Sequence, residues 1–86
     1  MNEQLNHREN TGYILRLFNE LLSNRETYFN GDILNSEGRK LLEIIIRELI
    51  SKYSFLRRNI YVIRRRPCYE NIVKIYNVFS ELVNSD

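Results

Sequence analysis

Between residues 55 and 67 the chain reads FLRRNIYVIRRRP, a stretch that holds five of its ten arginines and one of its six tyrosines. On a helix Arg57 and Arg64 stand seven apart and nearly in line, as do Arg58 and Arg65. The first pair flanks the apolar positions Leu56, Ile60 and Ile63. The second points away from them, Tyr61 lies close by, and Arg66 ends the run. Three kinds of chemistry fit this spacing. Guanidinium groups around an aromatic ring suit a phosphate backbone with a stacked base. They also suit a protein partner, because arginine forms forked pairs and stacks where lysine does not. The third reading is a solvated helix face, on which long arginine stems cover the edge of the core.

Other reactive residue types are scattered. Glu20, Glu26, Asp32, Glu37, Glu43 and Glu48 show neither metal-ligand spacing nor the pairing of a general acid and base, and neither do Glu70 and Glu81. They read as helix-surface and first-turn charges, with Glu43 and Arg47 placed as an i, i+4 pair. Cys68 is the one cysteine, so no internal disulfide and no zinc cage is expected. It is expected at the second position of a helix, where a thiol's pKa falls. The only histidine, His7, sits in a polar arm far away in sequence. Three glycines are too few for a phosphate-binding loop. No catalytic residue, cofactor or metal is expected, and the protein reads as a non-enzyme.

Charge is unevenly distributed. The chain of 86 residues carries a formal +2. Residues 1–43 have five Lys/Arg against seven Asp/Glu, while residues 44–86 have eight against four. A local basic surface on a nearly neutral chain falls short of the profile of a dedicated nucleic-acid-binding domain. Hydrophobic residues make up 43% and apolar runs such as LLEIII need burial, so the chain is expected to fold as a single domain, residues 1–86. No run approaches the roughly 18 apolar residues of a membrane span. MNEQLNHREN is polar rather than signal-like, and a cytoplasmic protein is expected.

The elements that would position these residues follow from hydrophobic period. Ile14, Leu17, Phe18, Leu21 and Leu22 predict a helix over residues 11–23, capped by Asn10 or Thr11, with Leu5 docking the arm before it. Residues 24–33 read as a loop with a turn at Asn30-Gly31-Asp32, pinned to the core by Tyr28, Phe29, Ile33 and Leu34. A second helix opens near Asn35-Ser36. From there Leu42, Ile46, Leu49, Tyr53, Leu56, Ile60 and Ile63 alternate spacings of four and three. This allows one helix of about 30 residues and roughly 45 Å, or two helices broken at residues 51–54 with Ser54 as a cap. A last helix is expected from Pro67 along Tyr69, Ile72, Tyr76, Phe79 and Val83. No strands are expected. Ile44, Phe55 and Val62 form a second apolar stripe, read as central packing among helices, with an interface as the alternative. The fold class is therefore all-α, a small antiparallel bundle of three or four helices.

Three stretches, ILRLFNELLSN (14–24), NSEGRKLLEIIIRELISK (35–52) and PCYENIVKIYNVFSELV (67–83), resemble the immunity proteins that protect producers of pediocin-like bacteriocins. The resemblance covers about half the chain and is one of amphipathic helix pattern. It implies a cytosolic antiparallel four-helix bundle that recognises a bacteriocin-occupied membrane receptor through its C-terminal half. LRLFNELL (15–22) also resembles the first-helix motif of LYR-type helical adaptors, with Asn19 where that family has arginine. The expected function is a binding module whose partner is another protein, in an immunity, inhibitor or adaptor role. Its contact surface would be Arg57, Arg58, Tyr61, Arg64, Arg65 and Arg66. The alternative is a nucleic-acid-binding or regulatory protein using the same arginines, and pairing of the seams between two chains is a third arrangement.

Overall fold

A computed structural model describes the backbone of residues 3–84 and the side chains of residues 11–84. It contains α1 (Glu3–Ser23), α2 (Arg25–Tyr28), β1 (Phe29–Asn30), β2 (Ile33–Leu34), α3 (Ser36–Lys52), a 3₁₀ turn (Ser54–Leu56), α4 (Arg57–Arg65) and α5 (Tyr69–Asn84). The fold is an all-α bundle with a two-strand hairpin at one end. α1 runs toward the hairpin, α3 away from it, α4 back toward it and α5 away again. Neighbours in sequence are thus antiparallel, the arrangement short connections enforce.

One core serves all four long helices. Ile14, Phe18 and Leu21 of α1 are buried with Leu42, Ile45, Ile46 and Leu49 of α3. Ile60 and Ile63 of α4 join them with Ile72, Ile75 and Phe79 of α5, and Phe29, Leu34 and Leu56 close the cluster. Phe18 is its aromatic centre, 5.3 Å from the ring of Tyr76 and 5.9 Å from Phe79. Among the described residues no polar or charged side chain is buried.

The seam from Leu42 to Ile63 is used in full, but not by one rod. α3 ends at Tyr53, whose φ of −130° and ψ of 75° leave the helical region, and the chain turns back through the 3₁₀ turn. A straight helix would be longer than the 41 Å long axis of the molecule and would carry half its apolar stripe beyond any partner. Reversal places Leu56, Ile60 and Ile63 on the same core as Leu42 and Leu49. Ser54 supplies no cap: Tyr53 precedes the turn and Leu56 precedes α4, and neither end has a side-chain capping bond.

Other boundaries also differ from the sequence reading. α1 begins at Glu3, so Asn10, Thr11 and Gly12 lie within it. Each lowers helix propensity by no more than about 1 kcal/mol, too little to stop a helix with a buried face beyond it. The docking of Leu5 and the setting of His7 fall outside the described side chains. Residues 24–33 are not loop alone. Phe29 pairs with Leu34 and Asn30 with Ile33, and Gly31 takes a φ of 71° at the first of two loop positions. That is the backbone pattern of a type II′ hairpin, which favours glycine there. Phe29 and Leu34 face the core while Asn30 and Ile33 face out. Asn35 caps α3, its side-chain oxygen accepting from Gly38 N–H at 2.8 Å.

The hairpin also binds the chain before α5. Ile33 bridges Cys68, Leu34 N–H donates to Pro67 O at 3.0 Å, and Tyr69 N–H donates to Asp32 O at 2.8 Å. These bonds hold Pro67 and Cys68 outside the helix, which begins at Tyr69 rather than Pro67. Cys68 precedes the first helical turn, its carbonyl accepting from Ile72 N–H at 3.1 Å.

Candidate functional site

The six residues singled out in the sequence are all exposed, but they do not form one patch. α4 buries Ile60 and Ile63, and the helical period distributes everything else around that anchor. Arg57, Tyr61 and Arg64 fall on the flank toward α3. Arg58 and Arg65 fall on the outer ridge. Asn59 and Val62 fall on the flank toward α5, and Arg66 lies past the end of α4, in the lining of a cleft at the hairpin end.

Each flank has its own partners. Arg64 reaches across to α3, its Nη2 3.1 Å from Glu43 Oε1. Glu43 is thereby taken by α4 rather than by Arg47. Arg65 Nη1 donates to Tyr61 Oη at 3.1 Å, with its guanidinium 5.8 Å from the ring centre. Arg57 and Arg58 make no ion pair or side-chain hydrogen bond with another described residue. Arg66 is drawn toward the hairpin end: its carbonyl accepts from Cys68 N–H at 2.8 Å and from Asn71 Nδ2 at 3.0 Å.

The second apolar stripe is not central packing. Phe55 is 66% exposed, Val62 48% and Ile44 37%. The reversal at Tyr53 separates Ile44, on α3, from the other two. Phe55 stacks edge-on against Tyr53 at 5.9 Å, and Tyr53 in turn meets Phe79 of α5 at 5.9 Å. Phe55 thus stands at the α5 side of the start of α4. Beyond it runs a groove of about 130 Å³ between α4 and α5, with Val62, Ile63, Ile75 and Val78 as apolar lining and Asn59, Asn71 and Lys74 as polar lining.

A larger cleft of about 560 Å³ lies at the hairpin end, lined by Arg25, Asp32, Ile33, Arg66, Cys68 and Tyr69, with Glu70 and Asn71. Its charges are mostly committed. Arg25 pairs with Asp32 at 3.3 Å and lies 4.0 Å over the ring of Tyr69, which meets Phe29 at 5.4 Å. Two arginines face two carboxylates there, so the cleft has no net sign. It reads as the junction that fixes hairpin to α5. Cys68 is half-buried in it as a free thiol. No group of three or more His, Cys, Asp or Glu suited to a metal occurs among the described residues, and none of their helices is long and apolar enough to cross a membrane.

The groove was not foreseen, although part of it was legible. Phe55 and Val62 stood out as a stripe apart from the main seam, and Asn71, Lys74, Ile75 and Val78 recur at i, i+3, i+4, i+7 on α5. What the sequence lacks is the pairing of those two stripes side by side, which depends on the reversal at Tyr53. Compared with family models, characterised proteins and solved structures, the chain matches none.

Proposed function

We propose that the protein is a non-catalytic binding module that contacts another protein through the 3₁₀ turn and α4. One observation carries this reading. Phe55, Tyr61 and Val62 are the three most exposed large hydrophobic residues among those described, and they fall within eight residues that also hold Arg57 and Arg58, with Arg65 three positions beyond. Aromatic rings set among arginines are the composition enriched at protein interfaces and at their hot spots. Exposing Phe55 and Val62 to water is unfavourable in the isolated chain, and covering them recovers that free energy. In its most specific form, resting on the resemblance to bacteriocin-immunity proteins, the partner is a bacteriocin-occupied membrane receptor.

The test is photo-crosslinking from position 57 in living cells, using the wild-type protein and the double variant Phe55→Ser, Tyr61→Ala. Both positions are exposed, so circular dichroism should show the helix content of the wild type retained. A discrete protein adduct that the double variant loses is the expected result, with each side chain worth on the order of 2 kcal/mol if it is a hot spot. The same protein should leave the anisotropy of labelled duplex DNA and single-stranded RNA unchanged. Micromolar nucleic-acid binding that collapses between about 50 and 200 mM salt would overturn the protein-contact reading.

A further inference from the structure

We infer that the chain has a second folded form, a domain-exchanged dimer. In it α3 and α4 join into one straight helix over residues 36–65, and the α4–α5 unit of each copy packs on α1 and α3 of the other. This goes beyond the protein-contact reading and concerns a second copy of the chain. The apolar seam carries the inference. Leu49 and Leu56 stand on either side of Tyr53, then Ile46 and Ile60, then Leu42 and Ile63, all six buried. The spacing of four and three runs through the reversal without a slip in phase, which a continuous helix requires and a reversal does not. The ion pair follows the same symmetry, because Glu43 lies ten residues before Tyr53 and Arg64 eleven after it. Two straight helices laid antiparallel, with the two-fold axis at Tyr53, would reproduce this pairing between copies. A second copy thus supplies what a straight helix lacks in a single molecule, an apolar partner for its far half.

The hinge can straighten. It consists of Tyr53 and the three residues of the 3₁₀ turn, and short hinges of this kind invite exchange. Residues 51–57 hold no glycine or proline, so nothing in them breaks a helix. Arg57 is already helical at φ −56° and ψ −38°, while Leu56 has ψ of 9° and Tyr53 ψ of 75°. Extension therefore turns ψ mainly at Tyr53, by about 120°. Leu56 N–H, which reaches back three residues to Tyr53 O at 3.0 Å, would take Lys52 O instead, as in an α-helix. Both forms bury the same core, so the balance rests on the hinge and on concentration. Docking within one chain has an effective concentration on the order of millimolar, and exchange competes near that protein concentration. Phe55, two residues on from Tyr53, would face about 200° away from it on a straight helix, in line with Ile44 and Val62. Exchange therefore leaves the α4 surface of the protein-contact reading exposed.

The experiment refolds the full chain from denaturant at about 1 mM and at about 10 µM, then separates the products by size. A dimer that forms at the higher concentration and not at the lower, with at least the helix content of the monomer, is expected. Two variants then locate the exchange. Both carry Cys68→Ser, one with Glu43→Cys and the other with Arg64→Cys. Refolded together and diluted, they should give a covalent dimer with a short bismaleimide, and neither should do so alone. Ser54→Pro suits the first position of the 3₁₀ turn but breaks a continuous helix. It should lower the dimer yield at least about tenfold in protein that keeps its monomer fold, and Ser54→Ala should raise the yield. Monomer alone after refolding at the higher concentration would overturn the inference. So would a dimer that gives no crosslink between positions 43 and 64, that persists with Ser54→Pro, or that Val62→Asp abolishes, each being association of closed molecules. No other protein enters these measurements, so the inference and the protein-contact reading fail separately.

Discussion

A Cβ added at Gly38 would collide with the carbonyl oxygen of Tyr28 and stand 2.6 Å from Leu34 Cδ2. The first turn of α3 lies directly on the backbone that enters the hairpin. Asn35 holds both sides of this contact: its N–H donates to Tyr28 O at 2.9 Å and its Nδ2 to Thr27 O at 2.9 Å. Gly38→Ala should therefore destabilise the protein by about 1–3 kcal/mol, seen as a lower denaturant midpoint, despite alanine's better helix propensity. Tyr28 carries a second prediction. Its hydroxyl donates to Glu20 Oε2 at 2.8 Å, and that carboxylate raises the phenol's pKa above the ordinary tyrosine value. A raised folded-state pKa means the bond stabilises the fold at neutral pH and is lost as pH rises through that pKa. The tyrosinate absorbance that Tyr28→Phe removes should appear at higher pH than in the unfolded chain. Glu20→Gln should bring it down.

α4 is the element on which the candidate site depends, and its anchorage is divided between core and surface. Ile60 and Ile63 bury it, and the pair of Arg64 with Glu43 ties its last turn to α3. Both partners of that pair are about half exposed, so a double-mutant cycle with Glu43→Gln and Arg64→Gln should give a coupling of no more than about 1 kcal/mol, falling with added salt. The apolar period made α4 legible before its packing was known: Leu56, Ile60 and Ile63 are the inward positions in any helical register. Tyr61 beside Arg65 followed from the same spacing. The direction of α4 stayed open between one rod and two helices broken at residues 51–54, because no glycine or proline marks Tyr53 as a reversal. What bends the chain there is the shared core, a tertiary effect that local sequence carries only as an uninterrupted seam. The exposed setting of Phe55 and Val62 followed from that reversal and was hidden with it. The hairpin was missed for another reason. Apolar pairs Tyr28-Phe29 and Ile33-Leu34 flank Asn-Gly-Asp, which is a hairpin signal, but strands of two residues are too short for alternation to show.

At the scale of the whole molecule, the hairpin end is a clasp joining parts of the chain that are distant in sequence. It consists of the Ile33–Cys68 bridge and the amides of Leu34 and Tyr69. Everything between, α3 and α4 included, is a loop closed at its base, and each of those helices forms mostly from contacts between near neighbours. Closing the loop costs chain entropy that only the completed junction offsets, so the clasp is the late step in assembly. It is also the shallow point of the energy surface, because the Ile33–Cys68 bridge and the bond from Tyr69 to Asp32 lie beside an open cleft rather than inside the core. Native-state hydrogen exchange should show this as a hierarchy in time. The amides of Leu34 and Tyr69 should exchange through a small opening of the hairpin end. Those of Ile45 and Ile72 should wait for the whole molecule to come apart. The structure therefore has a built-in order of undoing, and it starts at the end of the bundle where α5 begins.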